Sequence, residues 1–373
     1  MIYFDSSATT IPNQAVIDVY NQISKTVWYN PSSMHKAGTL AKTYIDKATS
    51  KILSTLDLIN KELIYTSGAT EANNMAIYGV CNPYINQNKH IITTMIEHPS
   101  VYNVFKDLET KGFKVTYLKC KNGIINLEEL KNSLTKDTVL VSIMWVNNII
   151  GSIQPINEVI DIVKNNSHAK LHVDAVQGIG KIPFSFNPNL VDYLTLTMHK
   201  IEGLKGCGIL VIPNNNNILP LIKGGHQQNN MRAGTMDTAS IVASSKTLTL
   251  AYQNLEIHYH YVQKLSEYLI QKLSKLSFIT LNRTNSLYSP YVVNFSFNKI
   301  KGETVMHYLE LQDIYVGVGS ACNERTKTLE RAIMELTNDE ERAINMIRIS
   351  LSHYNTKEEI DILIDKLIEL ERL

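Results

Sequence analysis

Two short stretches place an acid and an amine where they could act on one ligand. Leu171-His-Val-Asp-Ala-Val-Gln177 ends an apolar run on Asp174, and Thr197-Met-His-Lys200 ends another on Lys200. Residues at the C-terminal ends of buried strands line the ligand crevice of open α/β sheets. A lysine in that position is poorly solvated, which lowers its pKa and favours imine formation. A buried carboxylate needs a cation beside it, and a protonated pyridine nitrogen is one. A Schiff-base lysine and an acid that keeps a pyridinium protonated are what pyridoxal 5'-phosphate (PLP) requires of a protein. Gln177 could donate a hydrogen bond to the phenolic oxygen of that cofactor.

Other residues could complete such a site. Ser67-Gly-Ala-Thr-Glu-Ala-Asn-Asn74 follows a strand and opens a helix, so its first backbone N–H groups would face an anion above the sheet. His98, in Met95-Ile-Glu-His-Pro99, could stack on a planar ring or shuttle protons, or be a plain loop histidine. Asn148 ends another apolar run and could bind the ring oxygen or a substrate carboxylate. Arg348 alternates with Ile347, Ile349 and Leu351, so its guanidinium leaves the apolar layer and could clamp a carboxylate; a solvated arginine would show the same pattern. Cys322 closes Val316-Gly-Val-Gly-Ser-Ala-Cys322 and precedes Arg325 and Lys327, a setting that suits a reactive thiolate or an inconsequential surface thiol. Cys207 heads into a strand and reads as core packing.

The elements that must position these groups alternate along the chain. Leu63–Thr66, His90–Met95, Val115–Leu118 and Val139–Met144 read as buried strands separated by helix-length segments. That alternation predicts an α/β fold whose mainly parallel sheet is sandwiched by helices. The pattern changes near Thr235. Met236 to about Leu276 is helical in composition, and Tyr291–Phe297 and Met346–Leu351 alternate like half-buried strands. The predicted division is a large cofactor-binding domain at 13–255 and a smaller α+β domain formed by 1–12 and 256–373, which carries Cys322. A capping box at Thr356 and Glu359 starts a last helix with Ile360, Leu363, Ile364 and Leu367 as its apolar stripe.

Composition excludes several functions. A net charge of +1 gives no reason to expect direct binding to nucleic acid or to a membrane surface. The N-terminal Met1-Ile-Tyr-Phe-Asp5 has no signal-like run, and no later segment is apolar over a membrane-spanning length, so a cytoplasmic protein is expected. The 4 cysteines are far apart without C-x-x-C spacing, which predicts neither a disulfide framework nor a metal centre.

In the order of these motifs the chain resembles the PLP-dependent cysteine desulfurases of the NifS and IscS type, in the class V aminotransferase family of PLP fold type I. The likeness runs from Tyr3-Phe-Asp-Ser-Ser-Ala-Thr-Thr10 through Asn30-Pro-Ser-Ser-Met-His35, the Ser67 turn, Glu97-His98 and Val146-Asn-Asn148. It continues through the Asp174 stretch, His199-Lys200, Met231-Arg-Ala-Gly-Thr235, Gly319-Ser-Ala-Cys322 and Ile347-Arg-Ile-Ser350. The resemblance implies that Lys200 holds PLP, Asp174 pairs with its ring nitrogen, Gln177 and Asn148 lie near its ring oxygen, and His98 stacks on it. It assigns the phosphate to Ala69, Thr70, Thr197 and His199, with Thr235 reaching the partner subunit's cofactor across a homodimer.

Arg348 and Asn148 would take the substrate carboxylate, and Cys322, with Lys200 and His98, would be catalytic. L-cysteine would leave as L-alanine, with a persulfide on Cys322 for a sulfur-acceptor protein, either an iron-sulfur scaffold or a tRNA-thiolation enzyme. A selenocysteine lyase, another class V PLP enzyme and a non-catalytic PLP-fold partner in a sulfur-transfer complex are the competing expectations. The chain departs from the family pattern at Gly203-Leu-Lys-Gly206, at Glu202, where an aromatic residue is common, and at Gln228-Asn-Asn230.

Overall fold

Apolar, β-branched runs too short for helices build a central sheet that is buried on both faces. The computed structural model describes residues 1–214, 218–284, 287–319 and 329–373. Among these, the sheet has seven strands: β1 (Lys61–Thr66), β2 (His90–Thr94), β3 (Lys114–Leu118), β4 (Thr138–Met144), β5 (Lys170–Asp174), β6 (Tyr193–Thr197) and β7 (Gly208–Pro213). Their order is β1-β7-β6-β5-β4-β2-β3. Strand β7 is antiparallel to both β1 and β6, whereas the other neighbours pair in parallel. Six strands therefore point one way and deliver the residues that follow them to a single edge. The expected α/β architecture holds, with one reversed strand that alternation alone did not indicate.

Close packing fixes the turns at that edge. Trp145, just past β4, is fully buried and stacks on Phe184 with ring centroids 5.1 Å apart. The chain beyond Gln177 crosses this indole at Gly178, where a Cβ would lie 2.2 Å from the ring. Only glycine allows that approach, and it sets where Gln177 lies. Gly208 likewise passes so near the turn after β1 that a Cβ there would sit 2.4 Å from the Gly68 carbonyl carbon.

A second, antiparallel sheet of three strands orders Ile279–Leu281, Val292–Phe297 and Met346–Ser350. The helices Leu255–Leu273, Gly302–Glu310 and Lys357–Glu371 pack with it, and the last begins with the expected capping box. The sequence predicts half-buried strands here, but Val292–Phe297 and Met346–Ser350 are buried along their whole lengths. Their polar residues face protein: Asn294 donates to the Ile149 carbonyl (3.1 Å), and Arg348 donates to the Asn148 carbonyl (3.2 Å). The chain start joins this sheet's side of the molecule, with Ile2–Tyr3 pairing in parallel with Ile314–Tyr315. We propose the division 13–255 against 1–12 plus 256–373 as the domain boundary, with the site at the seam. No helix among the described residues is long and apolar enough to cross a membrane.

Substituting Gly208→Ala forces β7 away from the Gly68 turn. The expected cost is about 1–3 kcal/mol, as for other overpacked sites, seen as a lower denaturant midpoint. An unchanged midpoint would mean that the turn yields freely.

Candidate active site

Five strand ends converge on one cavity of about 440 Å³. Gly68, Ala69 and Thr70 follow β1, His98 follows β2, Asn148 follows β4, Asp174 and Gln177 close β5, and Thr197, His199 and Lys200 close β6. Arg348 reaches the same cavity from the small sheet. The structure thus brings together all but two of the residues singled out from the sequence. Thr235 is exposed and lines separate surface pockets beside Trp28 and Asp237. Cys322 lies outside the described residues.

Asp174 is buried at the cavity floor. It accepts hydrogen bonds from the Val176 N–H (3.0 Å) and from Asn73 Nδ2 (2.8 Å). Burial raises its pKa, against which those bonds and the Lys200 charge pull. Lys200 Nζ donates to the carbonyls of Ser7 (2.5 Å) and Ala8 (2.6 Å). Burial, and then the Arg348 charge, brings its ammonium from an ordinary 10.5 down to about 8. A buried carboxylate and a buried amine lining one cavity fit PLP, whose ring nitrogen would neutralise the first and whose aldehyde would consume the second.

The phosphate end fits equally well. The helix Ala69–Cys81 begins at Gly68 without any side-chain cap, so its opening N–H groups are free to receive an anion. The turn is pinned by Glu71, which accepts from the Ser67 N–H (2.8 Å) and pairs with Arg232 (2.9 Å). That pairing gives Arg232, within the Met231–Thr235 motif, a structural task. His199 Nδ1 lies 3.2 Å from Thr9 Oγ1, and Thr197 Oγ1 donates to the Cys207 carbonyl (3.1 Å).

His98 is held in one tautomer by residues that the sequence did not single out. Asn73 Nδ2 donates both to Asp174 and to Ser100 Oγ (2.9 Å), and Ser100 Oγ lies 2.8 Å from His98 Nδ1. The Ser100 N–H also donates to that nitrogen (3.1 Å), so Nδ1 is the acceptor and Nε2 carries the proton. Burial, reinforced by the charges of Lys200 and Arg331, holds His98 at about 4, neutral at pH 7. Glu97, the residue before it, is buried and pushed up to about 8 by desolvation. Its Oε1 accepts from the Met144 N–H (2.8 Å) and Thr94 Oγ1 (2.9 Å), tying the His98 loop to β4.

Arg348 is 5% exposed, paired with Asp5 at 2.7 Å, and its Nε has no hydrogen-bond partner among the described residues. Gly317 makes room for it, since a Cβ there would sit 2.8 Å from the guanidinium. A buried donor left open beside a cavity is a binding element for a carboxylate. Gln177 lines the cavity, where its amide donates to the Ser7 carbonyl (3.0 Å) and accepts from Lys181 (2.8 Å).

The thiols divide by environment. Cys81, Cys120 and Cys207 are buried and free, and burial raises the pKa of each, to about 11 for Cys207. They are inert packing, as predicted for Cys207. The chain leading toward Cys322 leaves from beside Arg348, because Gly317 pairs backbone to backbone with it (3.0 and 2.7 Å). The chain returns with Arg331, which donates to the Met95 and Glu97 carbonyls (3.2 and 2.9 Å).

Comparisons with known proteins agree with this geometry. The family model described as Aminotransferase class-V matches residues 2–363. The cysteine desulfurase IscS of Dictyoglomus turgidum is 38% identical over 368 residues, covering 98% of this chain and 93% of its own. Among solved structures, a NifS-like protein superposes with a TM-score of 0.92 at 35% identity, covering 100% of this chain and 99% of that one. A structure described as SspA in complex with cysteine gives a TM-score of 0.82 at 29% identity, covering 95% and 100%.

PLP can be captured only by the unprotonated Lys200 amine, which becomes the main form above its pKa. The rate at which the cofactor-free protein takes up added PLP, followed by visible absorbance, should therefore rise with pH through a midpoint near 8. A midpoint near the ordinary lysine value would show that Lys200 is not desolvated as described.

Proposed function

The chain belongs to the class V aminotransferase family, among the cysteine desulfurases of the IscS and NifS type, and from that membership we propose how its own residues extract sulfur from L-cysteine. The single observation that carries the reading is the shared cavity of Asp174, Lys200 and Arg348 at the root of the Cys322 segment.

When bound, PLP supplies an electron sink for charge developing on the substrate's carbon atoms. Asp174 would hold the ring nitrogen, and the uncapped turn at Gly68, Ala69 and Thr70 would hold the phosphate together with Thr197 and His199. His98 stacks on the ring, and its neutral state suits an aromatic face. Arg348 Nε and Asn148 take the substrate carboxylate. The free Lys200 amine would move the proton at the substrate α-carbon, and a pKa near 8 suits both acceptance and return of that proton near neutrality.

The Cys322 thiolate then attacks the substrate sulfur. A sulfur–sulfur bond forms, the carbon–sulfur bond breaks, and its electron pair is left on the β-carbon side, where a proton completes L-alanine. Cys322 keeps the sulfur as a persulfide. Three buried, high-pKa thiols elsewhere support Cys322 in this role. The exposed Thr235, which does not line its own chain's cavity, supports a homodimer in which it reaches the partner's cofactor. The acceptor is a protein of the iron-sulfur scaffold or tRNA-thiolation class, and unpaired thiols fit a reducing, cytoplasmic setting.

The Cys322→Ala variant should keep its PLP absorbance and lose release of sulfide and alanine from L-cysteine with a thiol reductant, by roughly 100-fold or more. Sulfide release at the parent rate would remove Cys322 from the mechanism.

A further inference from the structure

A second cavity lies on the other side of Lys200, lined by Asn13, Lys181, Glu202, Tyr291, His258 and His353 among others. Three of these residues come from distant parts of the chain. Glu202 follows the cofactor lysine by one intervening residue, His258 is in the first turn of the helix Leu255–Leu273, and His353 follows the strand Met346–Ser350. One ligand atom from each of the three lies within 4.8 Å of the others. His353 Nδ1 and Glu202 Oε1 are 3.2 Å apart, and the His258 and His353 rings stack with centroids 3.7 Å apart and planes 11° from parallel.

We propose that Glu202, His258 and His353 form a binding site for one divalent transition-metal ion of the zinc class, joining the turn after Lys200 to the small domain. Two imidazoles and one carboxylate, with a position left open, are a common zinc ligand set. Ligands at about 2.0 Å from a tetrahedral ion lie roughly 3.3 Å apart, close to the Glu202–His353 spacing. The three atoms, all within 4.8 Å of one another, must close by up to about 1.5 Å, and one of the stacked imidazoles must turn so that both in-plane lone pairs meet at the ion.

Several features favour ligation over a plain polar junction. Two stacked imidazolium rings would repel, so the pair is stable as neutral rings, the form that offers a lone pair to a metal. Burial lowers the pKa of both histidines in the same sense. Glu202 is oriented from outside by Tyr354, whose hydroxyl donates to Oε2 (2.9 Å), and this leaves Oε1 turned to the histidines. Such outer contacts are what hold first ligands in place. The Glu202 backbone is left-handed, with φ +66°, a costly conformation for a side chain with a Cβ. It is fixed by its N–H bonding to Thr10 Oγ1 (2.7 Å) and its carbonyl accepting from the Asn13 N–H (2.9 Å).

The test uses PLP-loaded protein carrying Cys322→Ala, which removes a thiol that could compete for zinc. Equilibrium dialysis against micromolar zinc should leave one ion per chain, and zinc should raise the thermal midpoint. In that background, His258→Gln and His353→Gln should each weaken zinc binding by at least about tenfold, with PLP absorbance retained, and should abolish the thermal shift. Glu202→Gln, which keeps the side chain's shape, should weaken binding in the same direction. No zinc retained by the Cys322→Ala protein, or an affinity unchanged from that protein in either histidine variant, would overturn the proposal. If a histidine variant loses PLP, Glu202→Gln decides alone, and unchanged affinity in it would equally overturn the proposal.

Discussion

The structure depends on keeping a carboxylate and an amine out of water at one edge of a parallel sheet. Asp174 and Lys200 each lose solvation that nothing in the protein fully replaces, and their displaced pKa values register that loss. Burying charged groups without full compensation costs stability. A cofactor with a cationic nitrogen at one end and an aldehyde at the other relieves both at once. The six parallel strands, the reversed β7 and the glycines that allow close turns all serve to hold these two groups across the same cavity.

Around that pair, the protein fixes states by hydrogen bonds and leaves little to chance. Asn73 joins the acid to Ser100 and so to His98, and one amide thereby sets the orientation of a carboxylate and the tautomer of an imidazole. Buried networks of this kind are strong only when nearly every member is satisfied. Among the described residues, Arg348 Nε, Asn73 Oδ1 and Ser7 Oγ are left without partners around the cavity, and Arg348 Nε is the charged donor among them. The small sheet brings that arginine in, which explains why its strands are buried along their full length.

Much of this was legible from residue order. The strands could be read because their runs are apolar and β-branched, and Asp174 and Lys200 because polar residues at such strand ends have few other uses. The reversed β7 could not, since an apolar run has no direction. Asn73 carries no signal of its own within the Ser67 motif and Ser100 none at all, and only the packing of Ala69–Cys81 against Pro99–Thr110 brings them together. The Ser7 and Lys181 partners that orient Gln177 are supplied by tertiary structure and have no signal in the sequence. The absence of a metal centre was inferred from cysteine spacing alone, and that pattern is blind to Glu202, His258 and His353, which come from three separate elements.

The central claim is that the Asp174–Lys200 cavity passes sulfur from L-cysteine to one thiol. Mass spectrometry of the PLP-loaded protein after brief exposure to L-cysteine, with each cysteine peptide resolved, tests it directly. One added sulfur atom on Cys322, with Cys81, Cys120 and Cys207 unchanged, is the predicted result. Alanine formed with no added sulfur on Cys322, or sulfur found on a buried cysteine instead, would contradict the account.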